Sequence, residues 1–385
     1  MDRDGAGTRI SPERPRFAAQ AGVGIAAMMH RGTMPCSRAV TLAALSAFAV
    51  ACGDGSAPGG SSATDGTAGG AEAGLSAIES AQAAAGDASG LAARVTARLG
   101  ALPARTSLFA RHLPSGREIA IRADEPMNAL SVIKIPVMVL AYRDAEAGTL
   151  DLDERYRIRP EDLRRGSGLL QTFAPGLEPT YRDLVTQMII TSDNTATDIM
   201  IARLGQERVN EMLSELGYEQ TRLRASTGQL FRRVWVMADP ANEVLSHQEV
   251  FERGFPSDPE ASERTFRFEG DPEEWLGSIT AREIAGLLAQ IHNGEVASRA
   301  SSDEMIRILE RQFYSTRLPR YIRFRASVAH KTGDWPPYAG NDVGILYYEG
   351  GPTVIAVFTN QNTGDFIELE STLGRIAEDI VNSWR

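Results

Sequence analysis

Two residue types are nearly missing from this 385-residue chain: it holds two cysteines and only two lysines. Cys36 lies inside a segment that reads as an export signal, so the processed chain would keep no cysteine pair. A disulfide framework is excluded, and the fold must rest on its core. The apolar run from Ala39 to Ala51, 13 residues, is too short to cross a bilayer as a helix. A net charge of −10 and the lack of a basic, aromatic-interleaved stripe argue against nucleic acid as a partner. No dinucleotide fingerprint or phosphate loop is visible. His30, His112, His247, His292 and His330 share no spacing and read as surface or packing residues. The sequence therefore implies no cofactor and no metal.

What is there begins with the lysines. Arginine fills 38 of the 40 basic positions, 40 minus the two lysines Lys134 and Lys331. A guanidinium stays charged in any protein environment, whereas a buried ammonium can lose its proton and act as a base. Lysine kept only where arginine cannot serve marks those two positions for chemistry. Lys134 closes Ser131-Val132-Ile133-Lys134, Lys331 opens Lys331-Thr332-Gly333, and Ser192-Asp193-Asn194 falls between them.

The N-terminal region has its own organisation. After about 27 polar, aperiodic residues, His30, Arg31 and Arg38 precede the apolar run, which ends at Ala49-Val50-Ala51-Cys52. Residues 1–52 thus read as a leader with a lipoprotein-type signal. The expectation is a chain exported to the cell envelope, lipid-anchored to a membrane at Cys52 and facing the periplasm or exterior; an ordinary secretory signal is the other reading. Residues 53–75, mostly Gly, Ser, Ala and Thr, cannot bury enough surface to order themselves and read as a flexible linker.

Residues 76–385 read as one catalytic domain. Helical spacing over Leu91–Leu99 is followed by strand patterns at Thr106–Leu113 and Arg117–Arg122 around Pro114-Ser115-Gly116. Helices are expected near Ser131 and over Tyr181–Ile190, strands at Val343–Tyr348 and Thr353–Thr359, and a last helix over Phe366–Trp384. The fold class is therefore α/β in the α+β sandwich sense: an antiparallel sheet built from the N- and C-terminal segments, with a helical lobe between. A monomer is expected. The stretch 224–275 is charged, shows no clear period, and is too long for a plain connection; it is either a functional lid or an insertion.

A serine hydroxyl is a weak nucleophile that needs a base within hydrogen-bond reach. Ser131 and Lys134, three apart, share a helix face, with Ser131 at the positively polarised N-terminus and Pro136 tolerable just inside it. Ser192 could relay a proton to a leaving group and Asn194 could hold a substrate amide, although S-D-N also suits a helix cap. At a strand edge Lys331 and Thr332 could bind a carboxylate, and Gly333 would let the backbone approach a substrate. The amides of Asp334 and Ser131 could form an oxyanion hole.

The ordered triple S-x-x-K, S-D-N and K-T-G resembles the class A β-lactamase and penicillin-binding serine hydrolase family. The resemblance runs from about Thr106 to Arg385 and includes Gly166-Ser167-Gly168-Leu169-Leu170-Gln171, Thr195-Ala196-Thr197 and Gly340-Asn341-Asp342-Val343-Gly344. It implies acylation of Ser131 by a β-lactam or D-Ala-D-Ala-type peptide, with Lys134 as base, Ser192 as proton relay, Asn194 on the substrate amide, and Lys331 and Thr332 on its carboxylate. One element departs from the pattern. The glutamate that activates the deacylating water in class A enzymes is replaced, by spacing, with Thr227. Glu243, Glu249 and Glu252 are candidate substitutes or simply exposed acids, and Arg317, Arg320, Arg323 and Arg325 compete as carboxylate-assisting arginine. Three functions follow: β-lactam hydrolysis, a slowly deacylating D-Ala-D-Ala peptidase or acyl-transfer enzyme, or non-catalytic binding of cell-wall peptide by a tethered lipoprotein.

Overall fold

The computed structural model describes residues 90–174 and 176–385; the leader, signal and linker expectations at 1–75 lie outside them. The first half runs α1 (90–100), β1 (Arg105–His112), β2 (Glu118–Ile121), β3 (Met127–Asn128), a 3-10 turn (Leu130–Ile133), α2 (Lys134–Glu146), α3 (Tyr181–Ile190), α4 (Asn194–Leu204) and α5 (Gln206–Glu215). It continues through β4 (Arg222–Leu223), α6 (Thr227–Ala238), α7 (His247–Arg253), α8 (Ala261–Gly270), β5 (Gly277–Ile279), α9 (Ala281–Asn293) and α10 (Arg299–Glu310). The chain closes with β6 (Ser327–Trp335), β7 (Ala339–Tyr347), β8 (Thr353–Asn360) and α11 (Phe366–Ser383).

Five antiparallel strands form the main sheet in the order β2-β1-β8-β7-β6. The first strand pairs with the last along its whole length, from Arg105↔Asn360 to His112↔Thr353, so the two ends of the domain do meet in one sheet. Strand periodicity sets which face each side chain covers. On β8, Val354, Ala356 and Phe358 enter one core with the helical lobe, while Ile355 and Val357 enter a second core. That second core is closed by Leu91, Val95 and Leu99 of α1 and by Leu369, Leu373, Ile376 and Ile380 of α11, a helical stripe. Leu373 is fully buried there, and truncating such a leucine to alanine typically costs about 2–5 kcal/mol.

Helix α2 is buried on every side, as expected of a central helix apolar all round; its one buried acid, Asp144, is held by both guanidinium nitrogens of Arg208 at 2.7 and 2.6 Å. Thus the residue that begins this helix, Lys134, starts inside the protein. A second sheet, β3-β5-β4, ties the chain just before Ser131 to the segment that follows the 224–275 stretch, through Met127↔Ile279 and Leu223↔Gly277.

The stretch 224–275, expected as a lid or an insertion, is ordered and largely helical. Ser226 caps α6 in a reciprocal box with Gln229, and Ser246 caps α7 with Glu249. The helices α7 and α8 carry only a few apolar residues each, which blurs the period over the stretch as a whole. Phe231, Val250 and Phe268 carry the insertion into the main core. At the far end, Phe268 stacks on Trp335 with ring centroids 5.8 Å apart, fixing the insertion to the end of β6.

Candidate active site

The K-T-G residues lie on β6, the edge strand, and this strand runs beside the Ser131 turn. Gly333 makes that approach possible: a Cβ there would sit 3.0 Å from Ala129 O and 3.3 Å from Ser131 N. Ser131 occupies the 3-10 turn directly ahead of α2, preceded by Leu130 at φ 48. A leucine in the left-handed region is strained, and such strain gathers where a local geometry is imposed by its surroundings. Here a polar network imposes it. Leu130 N donates to Asn128 Oδ1 (3.3 Å), Asn128 N to Asn360 Oδ1 (2.9 Å), and Asn341 Nδ2 to Asn128 O (2.9 Å).

Ser192 is the point where the motifs converge. It too has positive φ, 55, and its Oγ accepts from Lys134 Nζ at 3.2 Å and from Lys331 Nζ at 3.0 Å. Lys134 also donates to Ser192 O (2.7 Å) and Asn194 Oδ1 (2.9 Å), while Lys331 donates to Thr332 O (2.7 Å). Every one of these acceptors is neutral. Both lysines are fully buried, and burial pushes the Lys134 amine well below its usual value, with the neighbouring Lys331 charge acting in the same direction. Burial likewise lowers Lys331, to about 7, against the opposing pull of Asp334 and Asp342. Lys134 spends its hydrogen bonds on the S-D-N segment and makes none to Ser131 Oγ.

The S-D-N segment does serve as a helix cap. Asp193 is the N-cap of α4, accepting from Ala196 N at 2.9 Å, and its other oxygen accepts from Leu170 N at 2.8 Å. Gly168 allows this loop contact: it has φ 107, and a Cβ there would collide with the Asp193 carboxylate. The Asn194 amide, expected to face a substrate, is occupied at both ends: Oδ1 accepts from Lys134 and Nδ2 donates to Arg165 O at 2.8 Å.

Among the four candidate arginines, the structure brings Arg317 to the site. It is 2% exposed, bonds Asn341 O at 2.8 Å, and pairs with Asp334, the residue after K-T-G, and with Glu370 at 3.2 Å. Arg325 instead reaches Glu378 on α11, and Arg320 and Arg323 lie over the rings of Tyr321 and Phe324. Two residues before Asp334 on β6, Thr332 Oγ1 is buried without a protein partner. An unpaired hydroxyl there leaves a donor for a ligand oxygen.

Thr227, at the place of the missing glutamate, begins α6 and is buried. Its N and Oγ1 both donate to Asp198 Oδ1 at 2.7 Å; Gly228 N (2.8 Å) and Arg164 Nε (2.6 Å) donate to Asp198 Oδ2. Asp198, one turn after Asn194, therefore anchors the insertion. The substitutes considered from sequence, Glu243, Glu249 and Glu252, are all exposed, and Glu249 serves as the capping partner of Ser246. His247 flanks this cluster: a Cβ on Gly228 would meet its Nδ1 at 2.8 Å. Burial, and the nearby Arg164 charge, lower its pKa. The remaining described histidines are structural, as with His330 on Asp342 (2.8 Å) and His112 between Ser115 Oγ and Gly350 O.

Sequence reasoning also missed Glu269, the insertion's buried acid. It accepts from Gln361 N and Nε2, both at 2.8 Å, and faces Asn128 Nδ2 at 3.4 Å. Nothing in its charged surroundings in the sequence distinguishes it. Burial raises its pKa despite these hydrogen bonds. An acid with a raised folded pKa binds its proton more tightly folded than unfolded, so stability is greatest below the unfolded pKa and falls as pH rises through the folded one. Denaturant midpoints measured upward from about pH 4 are expected to decline less in Glu269→Gln than in wild type; parallel curves would contradict this.

A family model described as the beta-lactamase enzyme family matches residues 90–384. A beta-lactamase from Streptomyces fradiae is 27% identical over 284 residues, 71% of this chain and 80% of its own. Beta-lactamase L2 from Stenotrophomonas maltophilia is 25% identical over 274 residues, 69% of this chain and 78% of its own. Among solved structures, a beta-lactamase from Sphaerobacter thermophilus superposes with a TM-score of 0.61 at 28% identity, covering 77% of this chain and 97% of that one.

Proposed function

We propose, since this chain belongs to the beta-lactamase enzyme family, that Ser131 is its nucleophile and that β-lactam amides are its substrates. The chain is a serine hydrolase of the beta-lactamase type. The observation that carries the assignment of roles is the Ser192 hydroxyl held between Lys134 and Lys331, at 3.2 and 3.0 Å.

In this reading neutral Lys134 takes the Ser131 proton as Oγ forms its bond to the lactam carbonyl carbon. The carbonyl electron pair moves onto oxygen, against the amides of Ser131 and Asp334. As the C–N bond breaks, the proton held on Lys134 passes through Ser192 Oγ to the departing nitrogen. Lys331, Thr332 and Arg317 hold the substrate carboxylate. The Thr332 hydroxyl without a partner supports its share of that role. Asn194 acts first on Lys134, and its amide reaches a substrate only by releasing Arg165 O. Water then cleaves the Ser131 ester.

A second reading is favoured by one observation. Thr227 stands where the water-activating glutamate is expected, and the acid beside it, Asp198, already accepts four hydrogen bonds. A carboxylate whose two oxygens are so occupied has no lone pair left to orient a water, which fits a slowly deacylating peptidase or acyl-transfer enzyme. Intact-mass spectrometry after penicillin addition tests both. A one-equivalent adduct absent from Ser131→Ala is expected; its rapid loss, with chromogenic cephalosporin turnover, supports the hydrolase, and persistence for hours supports the second reading. The absence of both adduct and turnover on wild type would exclude acylation, leaving non-catalytic peptide binding.

The proposed location is the cell envelope, with a lipid on Cys52 and the catalytic domain facing the periplasm or exterior. Ala49-Val50-Ala51-Cys52 after the apolar run supports it. Metabolic labelling with a fatty acid should mark wild type and not Cys52→Ser.

A further inference from the structure

The segment between α10 and β6 crosses from one catalytic motif to another. At its start Gln312, buried, donates from Nε2 to Ile189 O at 2.8 Å, and Phe313 N donates to Ile190 O at 2.9 Å, just ahead of S-D-N. At its end Arg317 holds Asp334, just after K-T-G. Tyr314 is thereby carried between the two motifs. Its half-buried phenol is held above its usual pKa, by burial first and then by the carboxylates of Asp334 and Asp193, one from each side. Phe313 meets it edge-on, with centroids 5.6 Å apart at 87°, and remains 75% exposed.

A single exposed phenylalanine needs no explanation by itself. This one is held by backbone and side-chain bonds at both ends of its segment, beside groups that act on one half of the substrate. Ser192 protonates the departing nitrogen, and Lys331, Thr332 and Arg317 hold the carboxylate that the same half carries. Whatever extends from that half beyond the carboxylate meets the strap.

We infer that Phe313 and Tyr314 form an aromatic wall selecting substrates with a planar, apolar substituent on the leaving half of the lactam. The wall takes that substituent by stacking or edge contact, with Tyr314 as the inner face and Phe313 as the outer one. This inference rests on the acylation of Ser131 proposed above.

The test compares two cephalosporins with the same acyl side chain, one bearing a methyl and the other a styryl group at the 3-position. The second-order rate of Ser131 adduct formation is read by intact mass. Wild type is expected to favour the styryl compound by about three- to tenfold, the scale of one aromatic pair. Tyr314→Ala and Phe313→Ala should each bring the ratio toward one, and Tyr314→Phe should keep it, because the ring and not the hydroxyl makes the contact. Equal wild-type rates, or a ratio unchanged in both alanine variants, overturns the wall. Absence of both adduct and lactam consumption with either compound overturns the acylation reading itself, and this inference with it.

Discussion

Lys134→Arg is expected to lower the rate of Ser131 acylation by roughly 10²–10⁴-fold, the usual worth of a positioned general base. The substitution keeps a positive charge at the head of α2 but removes the ability to be neutral. Lys134 is buried against Ser192 O, Ser192 Oγ and Asn194 Oδ1, with no carboxylate in hydrogen-bond contact. Burial, with Lys331 nearby, favours its uncharged form, and only that form accepts a proton. Circular dichroism would establish that the variant folds. Lys134→Ala, which removes bulk instead of adding it, should show the same loss. Acylation within tenfold of wild type in both variants would mean that another group is the base.

The same geometry predicts the pH profile. Acylation in kcat/KM should fall on the acid side as Lys134 takes up a proton. It should also fall on the alkaline side, near Lys331's value of about 7, as the carboxylate clamp loses its charge. Lys331→Arg should abolish the alkaline limb, since a guanidinium does not titrate in that range. An alkaline limb that persists at the same pH would assign it elsewhere.

Asp198→Ala is expected to destabilise the domain by about 3–5 kcal/mol, measured by denaturant unfolding. The carboxylate pairs with Arg164 at 2.6 Å, and the two side chains are only 6% and 11% exposed. Removing it leaves the guanidinium without its charge partner and strands two backbone N–H groups at the start of α6, with only Asn194 O left to the Thr227 hydroxyl. Since a typical domain holds only about 5–15 kcal/mol in total, this is a large share. A loss under about 1 kcal/mol would show that the cluster is relaxed by solvent and carries little of the fold. A large loss with an unchanged acyl-enzyme lifetime would fix Asp198 as an anchor of the insertion and no part of deacylation.

Much of the fold was legible because its signals are local. Tyr181–Ile190 and Phe366–Ser383 announce themselves by apolar residues at helical spacing, and β8 and the second half of β7 by short buried apolar runs around Glu349-Gly350-Gly351-Pro352. The insertion was legible only at its edges. Its caps, Ser226 with Gln229 and Ser246 with Glu249, are written in the sequence, yet its helices gain their stability from Phe231 and Phe268 packing onto distant residues. The two-residue strands β3 and β4 are too short for any pattern to reveal.

At the site, composition by itself marked the residues on which the proposed chemistry rests. Two lysines among 40 basic residues, each in a motif, point to groups that can be neutral, and the serine three residues before one of them is the proposed nucleophile. Tertiary structure alone decided how these groups are wired. Ser192 Oγ joins lysines 58 and 139 residues away, Arg317 is the arginine chosen from four, and Asp198 occupies Thr227. Spacing along a helix or strand places neighbours within a turn or two. Contacts across such separations depend instead on how buried faces pack, and a small difference there decides which of several equal side chains reaches the site.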